Sequence, residues 1–101
     1  MSWKLVSLKP SPRADKKYVA VFHDSKEDKQ KTVHFGAKGY EDYTMHKDAE
    51  RAKRYRARHE KDLLTEAAKT GMSPGALSYY VLWTSPSFEQ GVRNFKSVYH
   101  L

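Results

Sequence analysis

The sequence predicts an α+β fold, with a small N-terminal antiparallel sheet of about three strands packed against about three helices. Three observations carry this. Short β-branched and aromatic runs fill the first third of the chain. Apolar spacings of three and four residues characterise the second half. Two Ser-Pro helix-start signals, Ser73-Pro74 and Ser85-Pro86, stand between those helical stretches.

Trp3 to Leu8 reads as the first strand, closed by Lys9-Pro10-Ser11-Pro12, whose prolines forbid a helix and favour extended backbone. Tyr18 to His23 is the second, with Tyr18, Ala20 and Phe22 on one side and Val19, Val21 and His23 on the other. The polar stretch Asp24 to Gln30 is a hairpin loop, and Lys31 to Phe35 returns as the third strand before Gly36-Ala37-Lys38-Gly39. Asp48 is placed to cap a helix, with Glu50 in its first turn. Ala52, Tyr55, His59 and Leu63 form its apolar stripe. From Gly75 to Trp83 the chain is apolar nearly all round, as a central buried helix would be. Phe88, Val92, Phe95 and Tyr99 give the last helix its buried face. Leu77, Tyr80, Val81, Phe88, Val92 and Phe95 are therefore expected among the most buried residues.

At 101 residues the chain holds one domain, 1–101, enough to bury roughly 60 to 70% of its unfolded surface. It has no cysteine, which excludes disulfides, thiolate metal sites and cysteine nucleophiles. No apolar run reaches the roughly 18 residues of a membrane span. The first residues are too short and interrupted for a signal peptide, so an intracellular protein is expected. The formal charge is +7 and is concentrated: residues 1–17 carry a net +4 and residues 49–63 a net +3. Such blocks speak of partners more than of fold.

The central block is the strongest signal. On a continuous helix Arg51, Arg54, Arg58 and Lys61 share a face about 80° wide, beside the Tyr55 stripe. Guanidinium forks suit phosphate oxygens, and neutralising phosphates releases counterions. The alternative is a solvated basic face. Arg13, Lys16 and Lys17 form the second block, either a semi-extended arm along a groove or a loop between strands. Gly36 to Tyr40, with Lys38 between two glycines, reads either as an anion-binding nest or as a strand-ending turn, the turn being favoured. Tyr40 and Tyr43 are the aromatics outside core spacing that could stack on bases. Five histidines raise a metal-dependent nuclease, with His34, His46, His59, Asp42 and Asp48 as candidates. Their spacing matches no ligand pattern, so no metal, cofactor or catalytic residue is expected.

The phrase Lys31 to Thr44, then His46-Lys47-Asp48, then Arg51 through Tyr55 to Arg58-His59, resembles a small basic protein family encoded by large nucleocytoplasmic DNA viruses of algae and amoebae. Leu5 to Pro12, Gly75 to Ser78, Val81-Leu82-Trp83 and Pro86 fit the same pattern. The likeness fades over Leu63 to Met72, where that family is more polar and often carries Trp. The resemblance implies a viral origin, a place in the infected host's nucleus or cytoplasmic viral factory or in the virion, and no assigned function or catalytic residues. The leading expectation is a non-enzymatic nucleic-acid-binding protein contacting phosphates, on DNA rather than RNA. A virion structural or adaptor protein that binds an acidic viral protein is the alternative, and a nuclease the third.

Overall fold

The computed structural model describes residues 2–101. Three antiparallel strands lie in chain order: β1 (Trp3–Pro10), β2 (Lys16–Asp24) and β3 (Lys29–Ala37). The register sets Ala20 opposite both Leu8 and Val33, and Tyr18 opposite both Pro10 and Phe35. One face of the sheet thus collects the apolar residues of all three strands. Pro10 ends an edge strand, where its missing amide costs no ladder bond. The register shifts between Leu5 and Ser7, and Val6 at the irregularity is exposed. The arm reading of Arg13 to Lys17 is overturned. Ser11–Asp15 form a closed loop joining β1 to β2, pinned by Ser11 N–H to the Lys17 carbonyl at 3.0 Å.

The second half holds more helical pieces than periodicity alone suggests. Following a single-turn helix α1 (Tyr43–His46), α2 spans Ala49–His59, and a 3₁₀ turn covers Glu60–Leu64. Next come α3 (Glu66–Lys69) and α4 (Pro74–Leu77), which runs on into a π-turn (Ser78–Leu82), and finally α5 (Phe88–Tyr99). Local caps explain the starts: Asp48 accepts from the amides of Glu50 and Arg51, and Ser73 from that of Ala76. The last start falls later than Ser85-Pro86 suggests. Ser87 is the cap, accepting from the Gln90 amide, and Pro86 stands outside the helix.

The core is one cluster. Ala20, Phe22, Val33 and Phe35 of the sheet meet Ala52 of α2, Leu77, Val81, Leu82 and Trp83 of the central segment, and Phe95 of α5. Phe22 and Phe95 face each other at 6.2 Å between ring centroids. Leu101 joins them, its carbonyl accepting from the Leu5 amide at 3.2 Å, which ties the chain end to β1. Of the six residues expected to be most buried, Leu77, Val81 and Phe95 are fully so. Tyr80, Phe88 and Val92 are half-buried and pack around the rim of the cluster. The backbone of the π-turn at Tyr80 and Val81 passes close to α5, which Gly91 allows. A β-carbon there would sit 2.2 Å from the Val81 carbonyl oxygen. No helix among the described residues is long and apolar enough to cross a membrane.

Candidate nucleic-acid interface

α2 builds one side of the site. Its buried contact is Ala52, with Tyr55 half-buried beside it, while Arg51, Arg54 and Arg58 point to solvent. Lys61 is also exposed and lines the same concavity as Arg58. The α-helix ends at His59, and Lys61 lies in the tighter 3₁₀ turn that follows, where the angular step per residue is larger. Arg51 leans on Glu41 at 3.4 Å. Arg54, Arg58 and Lys61 have no acidic partner among the described residues.

The helix carries an aromatic column. The Tyr55 ring stacks on Trp83 at 3.9 Å and 5° between planes, and on its other face His59 lies at 4.2 Å and 27°. His46 also meets Trp83, tilted at 54° with ring centroids 5.5 Å apart. Burial raises the Tyr55 phenol above its ordinary range, and the nearby Asp62 adds to this. Two polar contacts fix the column. Arg56 donates to the Trp83 carbonyl at 2.6 Å, and His59 Nδ1 lies 2.8 Å from Asp62 Oδ2. Arg56 is thereby a structural arginine.

A cleft of about 350 Å³ opens beside this column, walled by Lys17, Tyr40, Glu41, Asp42, Tyr55, Arg58, His59 and Trp83. It adjoins two shallower concavities. One shares Lys17, Tyr40 and Glu41 with it and adds Ser11, Lys38 and Met45. The other shares Arg58 and His59 and adds Lys61, Asp62 and Leu64. Through these shared walls they make up a furrow that is lined by Lys38 from the turn after β3 and by Arg58 and Lys61 from α2 and the turn that follows it. Tyr40, 72% exposed, lines two of the three concavities. Tyr43, the other aromatic expected outside the core, packs against it.

The N-terminal cations contribute less than their number suggests. Lys17 lines the cleft, yet its ammonium lies 2.6 Å from Asp42 Oδ2, so it is engaged internally and is corrected as a free phosphate contact. The Arg13 guanidinium grips Asp15 through two bonds, at 3.1 and 2.9 Å, and holds that carboxyl below the usual range. Lys16 is half-buried at the start of β2, outside the furrow. The nest at Gly36 to Tyr40 does not form an open anion site. The Lys38 amide donates to the Asp15 carbonyl at 3.1 Å and the Tyr40 amide to Ala37 at 3.4 Å. This is a strand-ending turn, with Lys38 itself exposed.

The histidines separate rather than converge. His34 bonds Ser11 at 2.8 Å, His46 accepts from the Asp48 amide at 2.8 Å, and His59 bonds Asp62. Among the described residues no group of three or more His, Asp or Glu could hold a metal ion. The His59–Asp62 pair and the Tyr55–Trp83 stack escaped the sequence reading. The three-residue spacing of His59 and Asp62 on a helical stretch was the one signal available.

No curated protein and no solved structure matches the chain. A family model does, over residues 6–59, which span the second half of β1, all of β2 and β3, the turn at Lys38 and all of α2. The chain belongs to this family of unknown function (DUF5754).

Proposed function

We propose that the protein is a non-enzymatic nucleic-acid-binding protein of a large DNA virus, which grips the phosphate backbone along the furrow with little readout of base sequence, on DNA rather than RNA. The observation that carries the reading is the convergence of Lys38, Arg58 and Lys61, each exposed and without an acidic partner among the described residues, on adjoining concavities. Arg54 extends this charge along α2. Unpaired cations repel one another in the free protein, and a polyanion relieves that repulsion while giving up its condensed counterions. The viral setting rests on the resemblance of residues 31–59 and the shorter matches around them.

Titration of fluorescent DNA and RNA of mixed sequence at two salt concentrations tests the reading. Affinity should fall steeply with salt, vary little with sequence, and be no weaker for DNA than for RNA. Absence of binding at low salt, together with saturable binding to one acidic protein that competitor DNA does not disturb, would replace it with an adaptor role.

A further inference from the structure

We propose that the furrow takes single-stranded nucleic acid, one base stacking on the open side of the His59 ring while Arg58 and Lys61 hold the adjoining phosphates. The inference rests on the nucleic-acid reading above and extends it to the strand state and to the group that meets the base. Its origin is the aromatic column. Trp83 stacks on Tyr55 and touches the tilted His46 ring, and Tyr55 is covered by Trp83 and His59. His59 ends the column. No second ring among the described residues covers it, its side chain is 41% exposed, and it borders both the cleft and the neighbouring concavity. The Asp62 hydrogen bond fixes the rotation of the ring, so the platform is already in place before a ligand arrives.

The surroundings suit an unpaired base. Leu64, 73% exposed, adds apolar surface to the concavity that His59, Arg58 and Lys61 share. A base continuing the column would bring its own phosphate beside those two cations. Tyr40 offers a second exposed ring that lines the same cleft, and Lys38 lines the adjoining concavity with it. A cleft of about 350 Å³ is of the size that accepts small ligands rather than a whole helix. In a duplex the base faces are buried in the stack. Only an unpaired strand presents one to His59, and stacking of this kind tolerates any sequence.

The test measures affinity for three ligands of equal length: a single strand, the same backbone built from tetrahydrofuran abasic residues, and a duplex. Wild type, His59→Ala and His59→Phe are compared after their melting curves have been checked. In wild type the bases should strengthen binding roughly five- to a hundred-fold over the abasic strand. His59→Ala should lose most of that advantage while binding the abasic strand as wild type does. His59→Phe, which keeps a planar ring, should retain it. An equal base advantage in wild type and His59→Ala, or none in wild type, would overturn the inference, as would tighter binding of the duplex. If the abasic strand and the duplex then still bind with steep salt dependence, the phosphate reading survives alone. If none of the three ligands binds, both fall.

Discussion

The ammonium of Lys17 sits 2.6 Å from the Asp42 carboxylate, with the two side chains only 14% and 4% exposed. Asp42 also caps α1, accepting from the Thr44 amide and hydroxyl. One ion pair therefore joins the start of β2 to the segment that leads into α2, and it forms a wall of the cleft.

Removing either partner should leave the other charge nearly buried and unpaired. Lys17→Met and Asp42→Ala are each expected to lower stability by about 3 kcal/mol, measured by urea unfolding at neutral pH. The double variant Lys17→Met with Asp42→Asn should regain part of that loss. Single losses below about 1 kcal/mol would mean that the pair behaves as an exposed surface contact.

The same chemical change should have opposite signs at two glycines. Gly75 lies in α4 with open space where a β-carbon would go, so Gly75→Ala is expected to stabilise by about 0.4–1 kcal/mol. At Gly91 the β-carbon would meet the Val81 and Tyr80 carbonyls, and Gly91→Ala should cost about 3 kcal/mol or prevent folding. Denaturant midpoints decide this. A tolerated Gly91→Ala would contradict the close approach of α5 to the π-turn.

The Tyr99 phenol is pushed up to about 12 by burial first and then by the neighbouring Tyr80 and Tyr79. A raised phenol pKa contributes stability that is fully present below the unfolded value near 10 and is lost as pH rises through about 12. Tyrosinate absorbance across that window should lose its last-titrating component in Tyr99→Phe. The variant's stability should also fall less steeply there than that of wild type. Loss of a component near pH 10 instead would show that the ring is open to water.

What was legible in the sequence was local. Asp48 and Ser73 announce helix starts because a cap is a bond between residues two or three apart. Alternation in β2 puts Tyr18, Ala20 and Phe22 on one side because strand periodicity needs no partner to be read, while which side is buried is decided by the helices that pack on it. The end of α2 carries no glycine or proline. There Asp62 binds back to His59 and Thr65 caps the next turn, a local competition that periodicity does not register. The site depended on distant pairs. Lys17 is a free cation in the sequence and becomes engaged only when Asp42 folds against it. Tyr55 meets Trp83 only through the π-turn and Arg56, so the column and its open end at His59 had no signature along the chain.

The most direct test of the central claim is the salt dependence of nucleic-acid affinity in Arg54→Ala/Arg58→Ala, set against Arg93→Ala/Lys96→Ala, which removes equal charge from α5. Arg54 and Arg58 stand exposed on α2 without an acidic partner among the described residues, and Arg93 bonds Gln90 on a different helix. Each phosphate contact contributes about 0.7 to the slope of log affinity against log salt on single strands and about 0.9 on duplex DNA. The α2 variant should therefore flatten the slope by roughly one and a half to two units and the α5 variant by well under one, both remaining folded. Equal flattening by the two variants would mean that affinity arises from the net charge of the whole molecule, and the furrow would lose its role.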